Sequence, residues 1–556
     1  MPAIMPVFTH AIILRNRAPW IALAGGLVFT ALGFAAEPAP PARPADLPHG
    51  ALVERVPCAG QPDQAYALYL PSTYTPDRRW PILYAFDARG DGRRVAGLFQ
   101  TAAETYGWIV VSSWNTASDG PMEPNFKAMH ALWADTHARF AIDDSRVYAA
   151  GHSGTVRFAC ILALTAPGTI AGVIGAGAGF PFGSPPKKDN PFAFFGTVGD
   201  RDFNYYEMND LDEAMKALGL PHRIEHFSGP HDWPPADLAT QAVGWMELQA
   251  MKSGKREKSP ALVEAEWARD RARARAAAHP ADALHTWSAM AVDYAGLHDV
   301  AEAAREAATL AASPACQKEF RERGERDRRD KDLLARAPGV LARANPGNEP
   351  VTAAQIAAEL KIPELRKRAA SDDLEESLAA KRILNTYLGQ TMFYLPQSYL
   401  EKKEYDRAAF VLSIGAEIRP DDPGVWVEIA AVYAREGKPG RKKALKALHT
   451  AGDKGLSDPA TLDRDAFADL RQDEEFQRLL AQVVERHRGA GNPSTHRCWT
   501  RGRGGGWPWR NRPASDEPHL SVVILHASRA NHGLEVGTRG CGHWRIGATD
   551  DEANRE

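Results

Sequence analysis

The chain has 556 residues, with 67 Lys and Arg against 70 Asp and Glu and a formal net charge of −3. That length calls for more than one hydrophobic core, and the balanced charge excludes a whole-protein nucleic-acid footprint. The five cysteines (Cys58, Cys160, Cys316, Cys498, Cys541) lack Cys-x-x-Cys spacing, so they imply neither a zinc site nor a disulfide framework.

At the start, Arg15 and Arg17 precede an apolar run from Trp20 to Phe34, then Ala35-Ala36 and a Pro-rich stretch. A positive flank, a short apolar core and small residues describe an export signal over 1–36, with a linker over 37–48. The other reading is an uncleaved membrane anchor, because the run approaches spanning length. Either one places the remaining chain outside the cytoplasm, periplasmic or secreted. Membrane contact is expected only through this segment.

From 49 to 252, short apolar runs alternate with amphipathic ones. Strands are expected at Tyr66–Tyr69, Pro81–Phe86, Trp108–Ser113, Arg146–Ala150, Ala171–Ala176, Phe192–Val198 and Arg223–Phe227. Helices are expected at Gly97–Tyr106, Asn125–Phe140, Val156–Thr165, Met208–Leu218 and Asp237–Met251. This alternation implies an α/β domain with a mostly parallel sheet covered on both faces. A charged linker over 253–260 follows.

From 261 to 486 the strand signals vanish and an all-α, alanine-rich periodicity takes over. Tyr399, Tyr405, Ala408, Leu412 and Pro420 form one unit, and Trp426, Ile429, Ala430 and Tyr433 open the next. Tyr399 and Tyr433 stand 34 residues apart, which is the tetratricopeptide period, and Trp287 to Pro314 fits the same template. A generic helical bundle is the other reading. The densely charged stretch Gln317 to Arg343 reads as a solvated helix. The Gly/Arg/Trp-rich tail over 487–556 cannot bury enough surface to order itself.

The chemistry centres on Ser153. The run Ser145 to Thr155 reads as a strand, a turn of small residues and a helix, which is the local design of a nucleophile elbow. Gly151 and Gly154 provide the room that such a turn needs. Thr155 stands where the G-x-S-x-G pattern has its last glycine, a departure from it. A serine hydroxyl needs a base, and the base works best when a carboxylate orients it. After the sixth expected strand, Gly199-Asp200-Arg201-Asp202-Phe203 offers two carboxylates. The Gly-x-x-Asp spacing selects Asp202, with Asp200 as the alternative acid. After the last strand, Gly229-Pro-His231-Asp-Trp233 offers His231 as the base. His152 reads as a pocket wall, and Trp233 either flanks the acyl group or packs. Oxyanion donors are expected from the N–H of Gly154 and from the loop after Phe86, at Ala88 or else Arg89.

Leu70-Pro-Ser-Thr-Tyr-Thr-Pro76, Trp80-Pro-Ile-Leu-Tyr-Ala-Phe-Asp87, Gly151-His-Ser-Gly154 and Gly229-Pro-His-Asp-Trp233 together resemble exported α/β-hydrolases. The similar groups are polyhydroxybutyrate-depolymerase, feruloyl-esterase and dienelactone-hydrolase-like esterases. The resemblance runs from Leu47 to Met251. It implies an α/β-hydrolase fold followed by tetratricopeptide-like repeats, with Ser153 as nucleophile, Asp202 as acid, His231 as base and Gly154 as oxyanion donor.

The expectation is therefore an exported serine hydrolase that cleaves a small ester or acyl substrate through an acyl-enzyme. It requires no cofactor and no metal, and it takes no nucleic acid. The helical repeats offer a surface for a protein partner. Two alternatives stay open: an impaired hydrolase fold that works as a binding protein through its repeats, and a peptidase.

Overall fold

The computed structural model describes residues 47–343 and 351–490. The expected export signal, most of the Pro-rich linker and the tail beyond residue 490 lie outside the described residues. Among the described residues, no helix is long and apolar enough to cross a membrane.

Eight strands among them form one sheet: β1 (Leu52–Cys58), β2 (Gln61–Tyr69), β3 (Trp80–Phe86), β4 (Ile109–Ser113), β5 (Ile142–His152), β6 (Gly172–Ala176), β7 (Ala193–Gly199) and β8 (His222–Phe227). Their order is β1-β2-β4-β3-β5-β6-β7-β8. The β1–β2 and β2–β4 pairs are antiparallel, and every later pair is parallel. Every residue of β3, β4, β6 and β7 is buried, as strands covered on both faces must be.

The helices α1 (Gly92–Leu98), α2 (Gln100–Tyr106), α3 (Glu123–Arg139), α4 (Gly154–Thr165), α5 (Tyr205–Leu218) and α6 (Ala236–Lys252) cover the sheet. Alternation along β3 separates two cores. Ile82, Tyr84 and Phe86 pack with Leu132 of α3, Phe158 of α4 and Met208 of α5. Leu83 and Ala85 face Val95 of α1, Ala103 of α2 and Trp245 of α6.

Two expectations need correction here. The sheet has a strand that the sequence reading lacked, β1, whose exposed Glu54 and Arg55 break the apolar pattern of an edge strand. The single helix expected at Gly97–Tyr106 is two helices that meet at the buried Phe99.

The rest of the chain is helical: α7 (Pro260–Ala276), α8 (Pro280–Asp293), α9 (Ala301–Ala312), α10 (Pro314–Ala342), α11 (Ala353–Glu359), α12 (Ile362–Ala369), α13 (Leu374–Gly389), α14 (Leu395–Glu401), α15 (Tyr405–Ile418), α16 (Pro423–Arg435), α17 (Arg441–Asp453) and α18 (Glu474–Ala490). A π-helical turn at Gln390–Tyr394 joins α13 to α14. The charged helix α10 is not simply solvated. Asp330 is fully buried and accepts a hydrogen bond from Tyr206 Oη at 3.1 Å, while Cys316, Ala337 and Leu341 are buried as well.

The helical region grips the sheet's far edge. Leu248 and Met251 of α6 share a core with Val263 and Trp267 of α7 and with Trp287 and Met290 of α8. Arg223 on β8 is almost wholly buried and meets three carboxylates: Glu225 at 2.6 Å, Asp270 at 2.8 Å and Asp293 at 3.5 Å. Tyr294 Oη donates to Asp270 at 3.0 Å.

Three carboxylates share Arg223, and Asp270 also pairs with Arg273 at 2.8 Å, which still leaves negative charge in excess. Burial pushes the Asp293 carboxyl up to about 6, while Arg223, against the same burial, holds Glu225 down to about 2. A carboxyl whose folded value is raised stabilises the fold below its ordinary range and loses that contribution as pH rises through the folded value. Asp293→Asn should therefore melt no lower than the parent at about pH 8, with its advantage shrinking as pH falls below about 6 and gone below about pH 4. Arg223→Ala should cost about 3–5 kcal/mol in urea unfolding, because the carboxylates lose their cation. A large loss of melting temperature in Asp293→Asn at pH 8 would contradict this charge balance.

Candidate active site

Sheet register brings the site residues to one edge. Phe86 at the end of β3 pairs with Gly151, His152 pairs with Ala176, Ala176 with Thr197, and Gly199 with Phe227. The carboxyl ends of β3, β5, β6, β7 and β8 thus lie side by side, where ligands of open α/β sheets bind.

Ser153 sits between β5 and α4 with φ 57° and ψ −128°, a conformation that side chains seldom adopt. Its N–H donates to Ala176 O at 2.9 Å, which ties the turn to β6. The turn is close to the helix it feeds. A Cβ on Gly151 would stand 2.5 Å from backbone atoms of Thr155 and Val156, so that position accepts only glycine.

Thr155, the departure from the elbow pattern, has a structural role. Its hydroxyl is fully buried, accepts from His152 N at 2.9 Å and lies 2.6 Å from Phe86 O and 2.8 Å from His152 O. One proton serves one of those carbonyls at a time. The side chain ties the start of α4 to the end of β3, and so holds Gly154 beside the loop that carries Ala88.

The acid and the base meet. His231 Nδ1 stands 2.8 Å from Asp202 Oδ1, and Asp202 is fully buried. Asp202 Oδ1 also accepts from Asn204 N at 2.7 Å, and Asn204 Nδ2 donates to Gly177 O at 2.7 Å. A carboxylate partner requires Nδ1 to donate, so in the neutral ring Nε2 carries the lone pair. Nε2 is buried without a hydrogen-bond partner, so no bond to Ser153 is formed in this state. Apo sites commonly keep this contact open until substrate closes it.

Gly177 shows how near the two groups are. It follows Ala176, whose carbonyl holds Ser153, and has φ +66°. A Cβ there would stand 2.9 Å from His231 Nδ1 and 2.8 Å from Asp202 Oδ2. Phe203 lies against the imidazole, with centroids 4.0 Å apart.

Asp200 is engaged elsewhere. Its Oδ1 accepts from Gly229 N at 3.1 Å and from Arg201 Nε at 3.2 Å, and so braces the loop that carries His231. His152 packs on His231 with centroids 4.7 Å apart. Burial, reinforced by the neighbouring His231, Arg94 and Arg89, holds His152 well below its ordinary value, which keeps it neutral. Trp233 is only 5% exposed and donates from Nε1 to Asp87 Oδ2 at 2.8 Å.

Asp87 is a residue the sequence reading passed over. Its Oδ1 accepts from Arg89 N at 2.8 Å and from Asp91 N at 3.1 Å, which folds the loop after β3 and occupies the Arg89 donor. Among the described residues, no acceptor is found for the N–H of Ala88 or of Gly154. Ala88 O accepts from Ser118 N at 3.0 Å, and a Cβ on Gly154 would stand 2.8 Å from Ser118 Cβ. Two free N–H groups on adjoining turns, beside a serine, can receive a developing oxyanion.

Among the described residues, no group of three His, Cys, Asp or Glu side chains is arranged to hold a metal ion. Cys160 is buried in α4, where burial raises its thiol far above the ordinary value.

No family model matches the chain, and no curated protein matches it. It is similar to a ferulic acid esterase at 17% identity, over 33% of this chain and 91% of that one, with a TM-score of 0.27. It is similar to the fluorophosphonate-binding serine hydrolase F of Staphylococcus aureus at 15% identity, over 35% and 98%, with a TM-score of 0.28. A hyperthermophilic esterase from Pyrobaculum calidifontis is similar at 14% identity, over 37% and 88%, with a TM-score of 0.30.

The role of Thr155 is testable by stability alone. Thr155→Val leaves His152 N and a strand-end carbonyl without a buried partner, at an expected cost of about 1–3 kcal/mol. Thr155→Ser keeps the hydroxyl and should cost less than half as much in the same urea titration. Equal losses in the two variants would assign the effect to packing instead.

Proposed function

We propose that the protein is a serine hydrolase that cleaves a carboxylic ester through a Ser153–His231–Asp202 triad and an acyl-enzyme. The observation that carries this reading is the 2.8 Å bond between Asp202 and His231, beside a strained serine at the carboxyl edge of the sheet. Neutral His231 takes the Ser153 proton on Nε2 as Oγ attacks the acyl carbon. The tetrahedral oxyanion is held by the N–H groups of Gly154 and Ala88. Collapse expels the alkoxide, which takes the proton back from Nε2, and the acyl group stays on Oγ. Water then repeats the sequence in reverse, with His231 as its base and Ser153 as the leaving group.

Export to the periplasm or medium, expected from the N-terminal segment, belongs to the same reading. We also read α14 to α17 as tetratricopeptide-like, a surface for a protein partner. Supporting this are the 34-residue spacing of Tyr399 and Tyr433 and the packing of α14 on α15, α15 on α16 and α16 on α17. Ala408 and Ala430 are fully buried, as closely packed helix pairs require.

A fluorophosphonate probe should label the native protein on Ser153, and Ser153→Ala should take no label. Absence of label on the native protein would favour a binding function. Turnover of nitrophenyl acetate should be largely lost in His231→Ala, and a parental kcat in that variant would remove His231 as the base.

A further inference from the structure

The acid loop between β7 and α5 is held from two directions, and one of them belongs to the helical region. On the inner side, Asp200 N donates to Phe227 O at 2.8 Å, Arg201 N to Gly229 O at 3.0 Å, and Asp202 N to Gly199 O at 3.1 Å. The carbonyls of the same peptides accept from α13. Arg382 Nη1 donates to Asp200 O at 3.0 Å, and Asn385 Nδ2 donates to Arg201 O at 2.8 Å.

The two peptide planes that precede Asp202 are therefore each fixed at both ends. In the first plane, Asp200 O meets Arg382 and Arg201 N meets Gly229. In the second, Arg201 O meets Asn385 and Asp202 N meets Gly199. A plane pinned at its N–H and its C=O cannot rotate without breaking two hydrogen bonds. Gly229 lies two residues before His231, so the same ladder sets the acid loop against the base loop.

Arg382 is built into this place. It is 4% exposed, and its guanidinium lies over the Tyr205 ring at 4.1 Å to the centroid. Its Nε finds no partner. Burying a cation is costly unless a specific acceptor compensates it, and an apolar side chain would pack here more cheaply. The fold supplies Asp200 O as acceptor, beside the Tyr206 hydroxyl and the Asp327 carboxylate.

We propose that Arg382 and Asn385 of α13 are positioning residues that hold Asp202 on His231, so that the helical region completes the hydrolytic site. The proposal rests on the hydrolase reading above and assigns the helical region a part in it. Thr386 adds little, because its hydroxyl is 3.5 Å from Phe203 O and 3.0 Å from Arg382 O within its own helix.

The test uses the full chain with Arg382→Ala, Arg382→Lys and Asn385→Ala. Lys331→Ala serves as control, since the Lys331–Asp210 ion pair crosses the same joint without touching the loop. With nitrophenyl acetate, Arg382→Ala should lower kcat about tenfold or more with KM within about twofold, since a small displacement of a catalytic group is enough. Arg382→Lys should recover part of the loss, Asn385→Ala should fall between, and Lys331→Ala should match the parent. In ¹⁵N-histidine-labelled protein, the downfield Nδ1–H resonance of His231 should weaken in the same order, with Asp202→Asn as the reference for its loss. Should Arg382→Ala fail to fold, Asn385→Ala carries both measurements. Folded Arg382→Ala and Asn385→Ala with parental kcat and an undiminished resonance would overturn the proposal. If Ser153 takes no fluorophosphonate, the hydrolase reading falls by itself, and the resonance alone decides whether α13 positions the pair.

Discussion

The constraint on which the site depends is the backbone of Ser153. A non-glycine residue at φ 57° carries strain on the order of 1–3 kcal/mol, and the surrounding structure must over-determine it. Here three neighbours do so. Gly151 lets the helix return to within contact of the strand, Ala176 O accepts the serine N–H, and the Thr155 hydroxyl locks the turn to Phe86. The result is a serine projected from the sheet edge with the next N–H unpaired. The strain and the unpaired N–H thus come from one geometry.

Around that turn, the charged groups divide the work by what they touch. Asp87 and Asp200 are acids that fold loops: one ties the loop after β3 to Trp233, the other ties Arg201 to Gly229. Asp202 alone reaches the imidazole. Its second oxygen has no partner, so the carboxylate charge faces the histidine and Asn204 N. A positive charge formed on His231 would meet that carboxylate at 2.8 Å, and the burial of Asp202 strengthens the attraction.

Much of this was legible in the sequence, because central strands and the elbow carry local signals. Seven apolar runs marked seven strands within five residues of their observed ends, β2 and β5 starting earliest against expectation. β1 escaped because an edge strand with exposed charges lacks the period that burial imposes. Of the two acids after β7, spacing picked the one that meets His231, and the turn after the last strand picked that histidine. Thr155 was legible only as a departure, since its bonds run to Phe86, 69 positions earlier. The role of Asp87 was invisible for the same reason, its indole partner lying 146 positions away. Charge density marked α10 as solvated, although Asp330 lies buried against Tyr206. A local pattern reports the face of an element and says nothing of a partner across the chain.

The two buried arginines at the joint show how a helical region can be attached without leaving it free to swing. Arg223 meets three carboxylates, more negative charge than it needs, so the loss of one acceptor leaves the joint intact. Arg382 donates to one carbonyl, lies over the Tyr205 ring and interacts with the Tyr206 hydroxyl and the Asp327 carboxylate, with one nitrogen unpaired, so that carbonyl is one of the contacts that fix it. The first contact fixes β8, the strand that ends in the histidine loop. The second fixes the loop after β7, which carries the acid. Neighbouring parallel strands are thus braced by the same helical region, β8 near its start and β7 at its outgoing loop, and a shift of α13 would reach Asp202 before it reached the sheet.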